Sequence, residues 1–228
     1  ADTKLSTAIL AFNPRSIPGT FAFSVRSFWM DPQLVRTAYI PEGTGETFDA
    51  GTTTFGLSYA RFFTDKFSAG LTLNYLHMGL AETAVNTGAM DFGIMYRIGI
   101  KDLKLGMTIQ NLGGTFTFDE RDSKLPVNFK VGVSFNAFRN EHQRLTTALE
   151  FQHPSDNLER ANAGLEYALN SMFFVRGGYH LNYDTDGIAF GFGAALPTGD
   201  TTRMQADYSA VDMDALGYVH RFTVSVSY

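Results

Sequence analysis

The sequence predicts an all-β fold: an antiparallel up-and-down transmembrane β-barrel, with thirteen strands visible and fourteen expected in the complete barrel. Three observations predict it. First, the last eleven residues alternate, with Tyr218, His220, Phe222, Val224, Val226 and Tyr228 on one face and Val219, Arg221, Thr223, Ser225 and Ser227 on the other. That is the period-2 signature of a strand with unlike faces, and its length is near the ~9–11 residues a tilted strand needs to cross a bilayer. Second, the same strand type recurs along the chain, joined by connections that alternate short and long. Third, charge is segregated. Arg26, Asp91, Arg97, Lys104, Lys130, Glu150, Glu166, Arg176, Arg203, Asp207 and Arg221 fall on the polar faces, whereas the apolar faces carry only Arg61, at a strand end. A basic side chain facing lipid at mid-depth costs roughly 2–4 kcal/mol, so a membrane barrel needs this sorting.

In order, Thr3 to Phe12 reads as a weakly patterned strand, and Pro14 and Pro18 mark a turn. Phe21, Phe23, Val25 and Trp29 then oppose Ala22, Ser24 and Arg26, and a polar loop runs from Asp31 to Ala50. Thr53 to Arg61 and Phe67 to Tyr75 form a hairpin about Thr64-Asp65-Lys66. After a loop near Asn86, Met90 to Arg97 and Leu103 to Gln110 form a second hairpin about Lys101-Asp102. Gly113 to Pro126 is a loop holding the cluster Asp119-Glu120-Arg121-Asp122. Val127 to Phe135 and Leu145 to Gln152 flank a turn at Asn140-Glu141, and Ala161 to Tyr167 and Phe173 to Leu181 flank Asn170-Ser171. Ile188 to Leu196, a turn through Gly199, Arg203 to Tyr208, a loop from Val211 to Gly217 and the final strand complete the chain. Gly56-Leu57-Ser58-Tyr59, Gly93-Ile94-Met95-Tyr96 and Gly164-Leu165-Glu166-Tyr167 repeat one pattern ahead of short turns, as a meander of hairpins would. Tyr59, Tyr96 and Tyr167, with Trp29, Tyr218 and Tyr228, are placed for a membrane-interface aromatic girdle.

Composition narrows the class. At 228 residues with 21 Phe, 10 Tyr and 22 Gly, the chain holds no run near the ~18 apolar residues of a transmembrane helix. A net charge of −5 argues against nucleic-acid binding, and the lack of cysteine removes disulfides and thiolate metal sites. A soluble sandwich would show similar alternation. Its solvated strands would carry abundant Lys and Glu, however, where these polar faces are built largely of Gly, Ser, Thr and Ala.

Several stretches resemble the PorV/PorQ family of outer-membrane β-barrel proteins. They are Gly56 to Gly70, Asp91-Phe-Gly-Ile-Met-Tyr96, Leu105 to Gly114, Asn162-Ala-Gly-Leu-Glu-Tyr167, Val175-Arg-Gly-Gly-Tyr179, Phe190-Gly-Phe-Gly193, Ala206-Asp-Tyr208 and His220-Arg221-Phe222. The resemblance covers roughly residues 50 to 228; the family's opening Gly-rich segment and Trp-Asn-Pro-Ala-Gly motif have no match. It implies one fourteen-stranded barrel domain in the bacterial outer membrane, similar to the FadL-type fatty acid transporters. It also implies a role as a surface interaction or assembly component linked to type IX protein secretion. The alternative is FadL-like passage or binding of small hydrophobic molecules.

The expected partners are outer-membrane lipid and a protein met at the extracellular loops or in a larger membrane complex. No enzyme activity, cofactor or metal is expected. Of the histidines, His77 and His220 fall on the apolar register near strand ends, and His142 and His153 at a turn and a loop start. His180 alone shares the polar face, with Glu166 as a conceivable orienting carboxylate. Asp184-Thr185-Asp186-Gly187 pairs carboxylates without the remaining ligands of a calcium loop, which favours a plain turn. The charges assigned to the lumen, seven basic and four acidic, are expected to pair across it.

Overall fold

The structure, a computed structural model, describes residues 3–118, 121–183, 187–197, 202–214 and 217–227. In chain order its strands are β1 (Thr3–Phe12), β2 (Thr20–Met30), β3 (Gln33–Leu34), β4 (Thr47–Phe48), β5 (Ala50–Phe62) and β6 (Phe67–Leu80). Then come β7 (Thr83–Ile98), β8 (Leu103–Gly113), β9 (Thr115–Phe118), β10 (Arg121–Lys124), β11 (Asn128–Arg139) and β12 (Gln143–Pro154). The last are β13 (Arg160–Leu169), β14 (Phe173–Leu181), β15 (Ile188–Pro197), β16 (Arg203–Asp212) and β17 (Tyr218–Ser227). Thirteen of them make one sheet in the order β1-β2-β5-β6-β7-β8-β11-β12-β13-β14-β15-β16-β17. Each strand of the sheet therefore neighbours the next sheet strand in the sequence, which makes an antiparallel up-and-down meander, as the alternation predicts. The long loops hold two small hairpins, β3 with β4 and β9 with β10.

The chain packs as two compact units, Ala1–Ile94 with Thr108–Asn128, and Met95–Met107 with Phe129–Tyr228. In both, the residues with most apolar area lie on the exposed face. Phe55, Leu57, Leu73 and Tyr75 in the first unit are 41–55 % exposed; Phe151, Val175, Phe192 and Phe222 in the second are 58–77 % exposed. Among the described residues the buried apolar side chains are Ala89, Ala168, Phe174, Ala195 and Ala210, mostly too small to make a water-soluble core. Phe174 packs with Ala168 and Ala195 in the one buried cluster found among them.

The short turns are closed by local chemistry. Lys101-Asp102 and Asn170-Ser171 each place two successive residues at positive φ, the backbone of a type I′ hairpin turn. Leu103 N donates to Ile100 O, and Met172 N to Leu169 O. Thr64 Oγ1 accepts from the Phe67 amide, and Asn140 Oδ1 from those of His142 and Gln143.

Several boundaries differ from the sequence expectation. Strand β6 runs on to Leu80, and the turn into β7 is Ala81-Glu82, with Ala81 at φ 52°, in place of a loop near Asn86. His77 Nδ1 and Asn86 Oδ1 meet at 2.8 Å on the outward side, and this polar pair breaks the apolar rhythm without breaking the strands. Strand β16 continues to Asp212, paired with Tyr218, so the connection to β17 begins later than expected. The polar loop after β2 contains the β3–β4 hairpin. The expected turn at Gly199, the residues Asp119, Glu120, Asp184, Thr185 and Asp186, and the girdle position Tyr228 lie outside the described residues.

Candidate functional site

In the second unit, alternation points Thr146, Glu166, Arg176 and Asp207 to the same side of β12, β13, β14 and β16. Register brings them together: Glu166 opposes Thr146 and Arg176, and Asp207 opposes Gly193. Arg176 donates from Nε to Glu166 Oε2 at 2.8 Å and from Nη1 to Asp207 Oδ1 at 2.6 Å. Arg144 donates from Nη2 to the other Glu166 oxygen at 3.1 Å, and Gln205 Nε2 to Asp207 Oδ2 at 2.8 Å. The result is an unbroken chain, Arg144–Glu166–Arg176–Asp207, that links two cations to two anions. It passes over β15 because that strand offers glycine there; a Cβ on Gly193 would clash with Asp207 Oδ1. The Arg176 guanidinium also lies 5.3 Å over the Phe174 ring, which supports it from below. Arg144 is absent from the sequence expectation, whose polar set on β12 begins at Thr146; the same alternation carried two residues further back reaches it.

Beside this chain lies a cavity of about 450 Å³, within the ~300–1,000 Å³ of small-molecule sites. Ala148, Gly164, Gly178, Ala189 and Gly191 floor it, Glu166, Arg176 and Asp207 bound it, and Thr146 and Ser209 supply hydroxyls. Small residues on neighbouring strands open this space. A Cβ on Gly164 would meet only the Gly177 carbonyl oxygen, at 3.9 Å.

The first unit has its own polar pocket, about 380 Å³, lined by Thr7, Ser24, Arg26, Thr54, Ser58, Thr72, Asn74, Asp91, Gln110 and Asn111 among others. Asp91 organises it: Oδ2 accepts from Asn74 Nδ2 and Oδ1 from the Asn111 backbone amide, both at 2.7 Å. Asn111 sits at φ 61°, and it lines the pocket together with its neighbour Gln110, so the alternation of β8 slips there by one residue. Leu112 is thereby turned to the exposed side, at 39 %. Leu112, Gly113, Gly88 and Leu73 line a second, more apolar depression of about 640 Å³ that shares Asn74 with the polar pocket.

The remaining candidates separate. Glu150 Oε1 accepts from Gln152 and Asn162. Arg203 Nη2 donates to the Ser171 carbonyl and ties down the Asn170-Ser171 turn. Arg221 pairs in register with Ser209, and Lys130 lies two residues from Gly132, whose added Cβ would face Glu150; each shares the polar face of its unit. Lys104 alternates with Leu103 and Leu105 on β8, and Arg97 lies on β7 one residue from its end. Trp29, Tyr96, Tyr167 and Tyr218 are 37–55 % exposed, and Tyr59 donates its hydroxyl to the Pro18 carbonyl at 2.7 Å. The His180 ring lies tilted against Tyr183, ring centroids 5.0 Å apart, while both Glu166 oxygens are held by arginines; the structure does not bring His180 and Glu166 together as a catalytic pair. Among the described residues no group of three or more His, Asp or Glu side chains could hold a metal ion.

No protein-family model matches the chain, and no curated protein matches it. Solved structures do. A Pseudomonas aeruginosa FadL homologue matches with a TM-score of 0.52 at 10 % identity, over 97 % of this chain and 74 % of that one. The CymD monoaromatic hydrocarbon channel gives 0.54 at 10 % identity, over 99 % and 85 %. The Pseudomonas putida toluene transporter TodX gives 0.52 at 10 % identity, over 98 % and 86 %. These likenesses show the fold, a FadL-like up-and-down barrel architecture.

Proposed function

We propose that the chain is an outer-membrane barrel that binds or passes small hydrophobic molecules. The observation that carries this reading is the inverted distribution of its side chains. Large apolar residues cover the exposed face, as lipid contact requires, while the polar faces hold pockets. A water-soluble sandwich would bury the face that here is exposed. The fold is shared with structures described as a monoaromatic hydrocarbon channel and a toluene transporter, which supports cargo of that size and polarity. On this reading the eleven charged residues from Arg26 to Arg221 line the lumen, and Trp29, Tyr59, Tyr96, Tyr167 and Tyr218 lie at the membrane interfaces. The depression beside Asn111 shares Asn74 with the polar pocket, and on this reading a sideways path from the apolar face would run there. Uptake of toluene into vesicles containing the purified protein, against protein-free vesicles, tests the reading; equal uptake rejects it.

A second reading is a surface component that engages a protein through its loops, as the PorV resemblance implies. It is favoured by the loop around β3 and β4, where Tyr39 is 96 % exposed and Leu34 and Ile40 are exposed too. A partner retained on the wild-type protein and lost from Tyr39→Ser would support it, and the fold likeness leaves it second.

A further inference from the structure

The cavity beside the charge chain, if it is a ligand site as proposed above, is particular about charge. Its walls present Glu166, Arg176 and Asp207, and the full chain with Arg144 balances two positive against two negative side chains. Arg176 commits two of its five N–H donors, to Glu166 and to Asp207. Each carboxylate is likewise engaged through both oxygens, Glu166 by two arginines and Asp207 by Arg176 and Gln205. Arg144, whose Nε has no hydrogen-bond partner, is not one of the residues lining the cavity. Arg221, across from Ser209 on β17, is exposed and does not line it either. The floor is glycine and alanine, without charge.

We infer that this cavity takes a small uncharged apolar molecule and rejects its carboxylate analogue. The ionised groups that line the cavity are two carboxylates and one guanidinium, so an anionic guest would meet a net negative wall and would have to share Arg176 with the two carboxylates already bonded to it. An uncharged ring only displaces water from the glycine floor, with Thr146 and Ser209 able to meet one polar substituent. The charge chain is thus a filter for guest charge. Asp207 is the residue that sets it, because it is one of the two lining carboxylates and holds Arg176 through Nη1.

The test uses the full chain in lipid nanodiscs, with 4-fluorotoluene and 4-fluorobenzoate as probes of nearly equal shape, followed by fluorine NMR against empty nanodiscs. The wild type should bind 4-fluorotoluene at least about tenfold more tightly than 4-fluorobenzoate. Asp207→Asn, which removes one of the two negative charges while keeping the side chain's size, should narrow that ratio about tenfold by strengthening 4-fluorobenzoate. Gly164→Leu, which fills the cavity from a position with room for a Cβ, should weaken 4-fluorotoluene about tenfold and so locate the site. Equal or tighter 4-fluorobenzoate binding by the wild type would overturn the inference and leave the hydrophobic-cargo reading standing. An unchanged ratio in Asp207→Asn, or unchanged affinity in Gly164→Leu, would also overturn it. Binding of neither probe would overturn both the inference and that reading.

Discussion

Arg176 on β14 and Asp207 on β16 are bonded across the strand that separates them, Nη1 to Oδ1 at 2.6 Å, and Gly193 on β15 is the residue they pass over. The two side chains are 33 % and 21 % exposed, so the pair is largely shielded from water. The contact therefore depends on an absence: a methyl group on the intervening strand would take the place of the Asp207 oxygen.

Replacing that glycine should cost stability through the ion pair rather than through the strand. Gly193→Ala forces Asp207 off Arg176, and the loss of a charged hydrogen bond, discounted for partial exposure, should be roughly 1–2 kcal/mol in urea unfolding from lipid vesicles. In an Asp207→Ala background the obstacle is gone and alanine suits a strand better than glycine, so the same substitution should be neutral or slightly favourable. The cycle of four proteins should show a coupling of about 1 kcal/mol. Additive effects would mean that Gly193 is required for some other reason.

Asp91 should be harder to replace than its place on a polar face implies. It is the shared acceptor for Asn74 and for the Asn111 amide, and the latter is a backbone donor at a slip in β8. Asp91→Ala leaves that donor unmatched, a loss of about 1–3 kcal/mol. Asp91→Asn keeps one acceptor and should lose less. Hydrogen exchange at the Asn111 amide should quicken in the alanine variant, and unchanged exchange would show that Asp91 does not hold it.

How far the sequence reaches is clear from these two clusters. Period-2 alternation places Glu166, Arg176 and Asp207 on one face, because pointing direction is a property of each strand alone. It says nothing of which strands Arg176 spans; that depends on register and on the gap at Gly193. Asp91 is likewise legible as a polar-face residue, whereas its bond to the Asn111 amide follows from the slip at Asn111, a break in alternation that a periodic reading carries straight through. The same limit shortened β6, where His77 and Asn86 satisfy each other on the outward face and imitate a strand end. The first strand and the count of thirteen were within reach because turn residues mark both ends of each strand.

Glu159, in the connection between β12 and β13, should titrate below the ordinary glutamate value of about 4.3. Its own backbone amide is the main cause, followed by His153 Nδ1 at 3.2 Å from Oε1. A depressed carboxyl stabilises the folded loop above the unfolded value, and that contribution disappears as pH falls through the folded one. The carbon chemical shift of the Glu159 carboxyl should therefore move at lower pH than in an unfolded peptide of the same sequence. Glu159→Gln should remove this part of the loop's acid sensitivity. Titration at or above 4.3 would contradict the assigned contacts.

The last prediction separates the two faces of one strand. Val224 and Ser225 are adjacent on β17, opposite Ala206 and Gln205, and Val224 is 71 % exposed. In the proposed membrane reading Val224 lies in lipid and Ser225 faces the polar interior that already holds Arg221. An arginine at Val224 must leave water for hydrocarbon or bend toward the surface, at up to roughly 2–4 kcal/mol depending on depth. At Ser225 the same side chain enters a polar space, where crowding and repulsion from Arg221 set a smaller penalty. Val224→Arg should therefore impair folding into lipid vesicles far more than Ser225→Arg, read as the heat-modifiable folded band on gels and as the urea midpoint. Equal penalties would place both residues in one environment and remove the lipid-facing assignment of β17. A wild-type protein that is monodisperse and folded in plain buffer, with neither lipid nor detergent, would remove the membrane reading as a whole, since the large exposed residues from Phe55 to Phe222 would then have to be covered by protein.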